Sequence, residues 1–171
     1  QIKCPIIAMP QDEYDHAHVL DEWLCELGVA AICSNFDAEL RKVIYPLMAE
    51  RAAFLRCLTG YIDEEQGKRI ASGLIPTSQR TMHIVYRAAH LPYNFGSHGQ
   101  LKHQIASAIA RRAAAAGLTV DISTKSEDTI TSEYWYDFLA SSRVIIGCES
   151  GSSVLDRRGE VRARIRSLLA A

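Results

Sequence analysis

Residues 144–160 read VIIGCESGSSVLDRRGE. An apolar strand at 144–147 runs into a turn of mostly small residues, Glu149, Ser150, Gly151, Ser152 and Ser153, and a run of charge then opens a helix. Small residues after a strand let the backbone approach a ligand. Free N–H groups and serine hydroxyls there suit a phosphate or a sugar. Glu149 repels a phosphate, so a hydroxyl-rich group is its expected partner. Gly and Ser are also ordinary turn residues, and the same letters suit a plain strand-to-loop turn.

Working outward, short apolar runs alternate with helical patterns. Strands are expected at 2–9, 29–33, 83–86 and 118–122, besides the one at 144–147. Residues 16–27 place Val19, Leu20, Trp23, Leu24 and Leu27 at helical spacing, with Asp15 as N-cap. A second helix runs to about 43, capped by Ser34, Asn35 or Asp37. Residues 49–58 read as weakly helical or irregular, and 59–61 as a turn. Residues 63–80, with Gly67, Gly73 and Pro76, read as a linker. Further helices are expected at 101–116, at 133–140 behind Thr131 or Ser132, and at 159–170. Such alternation indicates an α/β fold: Rossmann-like parallel sheets with flanking helices, in two partial domains at 1–76 and 77–171.

Bulk properties narrow the function. A net charge of −1 gives no argument for nucleic acid, and the basic last helix reads as a solvated face. No apolar run approaches the ~20 residues of a membrane span. The five cysteines form no CxxC pair and read as reduced, buried thiols of a cytoplasmic protein. Gln1 is followed at once by an apolar run, and the chain ends in SLLAA without a cap, so it reads as a piece of a longer polypeptide.

In open α/β sheets ligands bind at the carboxyl ends of strands. Three polar clusters are expected there: QDEYD at 11–15, the loop after Arg87, and the Glu149 turn. Arg87 and Lys102, at a strand–loop–helix junction, suit a diphosphate, one as a fork of donors and the other as a point charge. Two solvated surface cations are the plainer reading. Asp12, Glu13 and Asp15 are the candidate acids or bases, but QDEYD contains no Asp-x-Asp, and too few carboxylates gather for a metal site. His90 and His98 are loop histidines able to act as acid or base. The absence of GxGxxG and GxxxxGK[ST] leaves a nicotinamide site or P-loop unsupported.

The segments QDEYD, LTGY (58–61), YRAAHLPYNFG (86–96) and WYDFLASSRVIIGCESGSSVLDRRGE (135–160), in that order, resemble bacterial glycosyltransferases of the two-Rossmann-domain (GT-B) type from surface-polysaccharide synthesis. The resemblance implies the central part of a metal-independent hexosyltransferase without cofactor: the end of an acceptor-side domain and the start of a nucleotide-sugar-binding one. Its partners would be a nucleotide-sugar donor and a carbohydrate or lipid-linked acceptor, with no nucleic acid and no integral membrane segment. Its place would be the cytoplasm, or the periphery of the membrane's inner face. Arg87 and Lys102 would clamp the diphosphate, Glu149, Ser150, Gly151, Ser152 and Ser153 would hold the donor sugar and ribose, and Asp12 or Glu13 would be the general base. Glu149 and Asp156 have six residues between them, and Glu149 and Glu160 ten, a departure from that fold's usual acid pair. The alternative is a non-catalytic α/β module that binds a nucleotide or sugar.

Overall fold

The computed structural model describes residues 4–58 and 63–171. The turn expected at 59–61 and the start of the strand expected at 2–9 lie outside the described residues. The fold is α/β, with two small parallel sheets of three strands each, flanked by helices. Two compact units result: Gln1–Tyr61 together with Val154–Ala171, and Ile62–Ser153. These limits differ from the expected 1–76 and 77–171. Residues 62–76 belong to the second unit, and the C-terminal segment returns to the first.

In the first unit, β1 (Ile7–Ala8), β2 (Ala31–Ser34) and β3 (Ala53–Arg56) pair in that order. They are joined by α1 (Ala17–Glu26) and α2 (Ala38–Ile44). The register sets Ala8 beside Ile32 and Ile32 beside Phe54. That row faces the helices and the buried Leu24, Ile44, Tyr45 and Met48. Strand alternation turns the next row, Ile7, Ala31 and Ala53, to the other face, together with Cys33 and Leu55. Ile7 is 61% exposed and Leu55 54%, so this face of the sheet is open. β3 lies where the sequence reads as irregular. Asp37 caps α2 as expected, its carboxylate accepting from Leu40 N at 2.9 Å. Asp15 does not cap α1. The N-cap residue is His16, in the left-handed region at φ 53°, without a side-chain cap. Asp15 instead meets Arg162 at 2.7 Å and His16 Nδ1 at 2.7 Å.

The returning segment carries α6 (Glu160–Leu169). Asp156 bridges to Asp15 in parallel fashion, and its carboxylate accepts from Val161 N at 3.2 Å and Arg162 N at 2.8 Å, satisfying two first-turn donors. Gly159 precedes the helix at φ 74°, and a Cβ there would stand 2.2 Å from His16 Nε2. Only glycine fits.

In the second unit, β4 (Met82–Arg87), β5 (Val120–Ser123) and β6 (Ser142–Ile145) lie in the order β5-β4-β6. α4 (Gly96–Ala115) joins β4 to β5, and α5 (Tyr134–Ala140) joins β5 to β6. Val85 and Tyr86 on the central strand are buried, as are Ala106 and Ala113 on α4. The expected linker holds a helix, α3 (Glu64–Gly73), capped by Asp63, which accepts from Gln66 N at 3.0 Å. α4 starts five residues before the expected 101, since a 3-10 turn at Tyr93–Phe95 leads straight into it. Neither Thr131 nor Ser132 caps α5, whose N-cap residue is Glu133. Among the described residues no helix is long and apolar enough to cross a membrane. The five cysteines are free, but Cys4 is exposed and the other four are half-buried, not core.

Candidate functional site

The carboxyl ends of the second sheet gather most of the residues singled out from the sequence. β6 ends at Ile145, so residues 146–153 form a loop. That loop lies against the start of α4. Ser153 N donates to the Phe95 carbonyl at 3.0 Å, Ser152 Oγ donates to the same oxygen at 3.3 Å, and Ser97 Oγ donates to Ser153 Oγ at 3.1 Å. Lys102 Nζ donates to Ser150 Oγ at 3.3 Å. His98 Nε2 stands 3.1 Å from Glu149 Oε2. Its Nδ1 is buried with no hydrogen-bond partner. A proton on Nδ1 would find no acceptor, so the neutral ring keeps its proton on Nε2 and donates it to Glu149. Glu149 itself is 74% exposed, with room for a second partner.

Gly99 explains how the loop before α4 comes so close. A Cβ at Gly99 would lie 2.6 Å from Phe95 Cβ and 3.3 Å from Leu91 Cβ. Glycine lets residues 91–95 fold down on the helix. Tyr86 supports the same region, donating to the Lys102 carbonyl at 3.2 Å and touching Cys148 Sγ at 3.3 Å. Burial first, then Cys148, pushes the Tyr86 hydroxyl above the ordinary tyrosine range.

Arg87 is differently placed. Its side chain is 12% exposed, Nη2 pairs with Asp121 Oδ1 at 2.8 Å, and the guanidinium lies 4.7 Å from the centre of the Phe138 ring. Its Nε is buried without a partner. The fork expected for a diphosphate is engaged within the unit. Asp121 and Phe138 are the partners that sequence reading misses. Asp121 had a signal, a carboxylate inside the short strand VDIS two positions before the residue paired with Arg87. Within the aromatic run at 134–138, Phe138 faces Arg87 while Tyr134 is 68% exposed.

The QDEYD acids lie in the first unit and divide into three environments. Asp12 is exposed. It acts on Tyr14, whose hydroxyl is raised by burial first and then by the charge of Asp12 and a hydrogen bond to it. Glu13 is 2% exposed, and both oxygens are engaged: Tyr45 OH donates to Oε2 at 2.5 Å and Asn35 N to Oε1 at 3.2 Å. Asp15 is held by Arg162 and His16. The stretch 144–160 is likewise divided, with Glu149–Ser153 in the second unit and Asp156 buried in the first, its carboxylate accepting from first-turn N–H groups of α6. Among the described residues no group of three or more His, Cys, Asp or Glu side chains is placed to hold a metal ion.

Comparison with protein-family models, with curated proteins and with solved structures finds no match.

Proposed function

We propose that the chain carries the donor-binding region of a bacterial GT-B-type glycosyltransferase, and that its second unit binds the nucleotide-sugar donor at the carboxyl ends of β4 and β6. The observation that carries this reading is the docking of the Glu149–Ser153 loop on the first turns of α4, with Lys102 beside Ser150 and His98 beside Glu149. The diphosphate lies toward Lys102, Ser150 and the N-terminus of α4, where a cation, a hydroxyl and the helix dipole favour negative charge. The same groups stabilise charge as the diphosphate leaves. Glu149, held by His98 on one side and open on the other, accepts from sugar or ribose hydroxyls. Arg87, already engaged by Asp121 and Phe138, does not clamp the ligand in this reading. Asp12 is the exposed acid of its cluster and takes the role of general base, since Glu13 is buried and engaged. The acceptor is a carbohydrate or a lipid-linked carbohydrate, met in the cytoplasm or at the inner face of the membrane.

Calorimetric titration with UDP, GDP and CMP tests the donor site. One of them is expected to bind, and Lys102→Ala to weaken it about tenfold, roughly 1.4 kcal/mol. Binding by none of the three, or full affinity in Lys102→Ala, overturns the assignment. Binding without sugar transfer or donor hydrolysis favours the non-catalytic module instead.

A further inference from the structure

The open face of the first sheet carries two cysteines on neighbouring strands. β2 places Cys33 opposite Leu55 of β3, and alternation brings Cys57, two residues on, to the same face. Cys57 N donates to the Ser34 carbonyl at 3.2 Å, which keeps the chain beside β2 past the end of β3. Cys33 and Cys57 are therefore diagonal neighbours on one face of adjacent strands. Both residues are half-buried, and the adjoining Leu55 is 54% exposed. Beside Cys57 is a depression of about 560 Å³, lined also by Asn35, Arg56 and Leu58. It is open to a small molecule, and Arg56 offers a cation to a carboxylate. The other cysteines differ: Cys25 Sγ accepts from Arg51 at 2.8 Å, Cys148 contacts Tyr86, and Cys4 is exposed near the chain start.

We infer that Cys33 and Cys57 are a dithiol redox site that closes to an intramolecular disulfide by exchange with a small acidic disulfide of the glutathione type. One thiol of the pair loses its proton to solvent, and the thiolate bonds to one sulfur of the small disulfide, whose S–S bond breaks and expels a thiolate. The other thiol gives up its proton to that thiolate, bonds to the first cysteine's sulfur and expels the second thiolate, which takes a proton back from solvent. Two protein thiols are oxidised, and one small disulfide is reduced to two thiols. On adjacent parallel strands, ~4.8 Å apart with a rise of ~3.3 Å per residue, a residue two positions along stands ~8 Å away at Cα, whereas a disulfide needs about 4.4–6.8 Å. Closure therefore draws Cys57 in by about 1 Å, at a residue beyond Arg56 and the end of β3.

The test is incubation of the whole chain with oxidised glutathione, alkylation of the remaining thiols, and peptide mapping by mass spectrometry. The expected product has lost two hydrogens, contains a linked Cys33–Cys57 peptide, and keeps Cys4, Cys25 and Cys148 alkylated. Cys33→Ser and Cys57→Ser should each lose the link and stop at a lasting glutathione adduct on the remaining cysteine of the pair. Circular dichroism of each variant checks the fold. A link between any other pair, or adducts on all five cysteines with no link, overturns the inference.

Discussion

Tyr45 shows how a single side chain organises the first unit. It is fully buried, its ring lies tilted against Phe54 with centroids 5.8 Å apart, and its hydroxyl donates a hydrogen bond to Glu13. Replacing it with Phe leaves a buried carboxylate oxygen without its donor, and about 1–3 kcal/mol of stability should be lost in urea unfolding. A pH signature accompanies the loss. Burial first, then the Glu13 hydrogen bond and charge, raises the Tyr45 hydroxyl above its ordinary value of 10.0. The unfolded chain releases this proton near 10 while the folded chain keeps it, so the contribution is intact below 10 and declines as pH rises beyond it. Urea midpoints at pH 8 and above pH 10 should therefore fall more steeply for the wild type than for Tyr45→Phe. Nothing local in the sequence joins Glu13 to Tyr45, because the partners are 32 residues apart and the sheet brings them together. Asp21 was hidden for a related reason. It is fully buried on α1, where its carboxylate accepts from Leu47 N and Met48 N. A polarity pattern assigns that position to solvent. The same pattern turns Trp23 inward, yet Trp23 is 56% exposed.

Elements were legible where their signal is local. The helix over 38–44 announces itself by Asp37 and β4 by its apolar run, whereas β6 begins two residues before the run expected at 144–147 and ends inside it. β3 escapes notice because AFLR is short, ends in a cation and turns Leu55 to solvent. α3 escapes because none of its residues is buried, so no apolar stripe marks it. The start of α6 depends on a contact distant in sequence, the seat of His16 against Gly159. Gly159→Ala combines an unfavourable positive φ with that collision, and about 1–3 kcal/mol of destabilisation is expected in denaturant unfolding. The double variant His16→Ala with Gly159→Ala should recover part of it, since only the φ strain would remain. A double variant no more stable than Gly159→Ala alone would show that the imidazole is not the obstacle.

At the scale of the whole molecule, alternating runs of strand and helix were enough for the α/β class and parallel sheets. The unit boundaries were not legible, because they rest on residues 154–169 returning to the first unit through Asp156, Arg157 and Arg162. Arg157 meets the buried Asp21 at 3.6 Å, and Arg162 meets Asp15. These are ordinary charges in the sequence, and their acids lie in α1 and just before it. The candidate site was half legible: Lys102, Glu149 and the serines do converge, whereas the surroundings of Arg87 and Glu13 emerge only from packing. The one-sided cover of the first sheet has a final, colloidal consequence. A parallel sheet usually hides both faces, yet here Ile7 and Leu55 meet water beside Ala53. An environment-sensitive dye such as anilinonaphthalene sulfonate should therefore brighten with the fully folded chain. Sulfate should drive the protein out of solution sooner than its modest net charge suggests. Leu55→Lys should dim the dye and raise the salting-out point without moving the unfolding midpoint. Unchanged fluorescence would place the wetted apolar surface elsewhere on the chain.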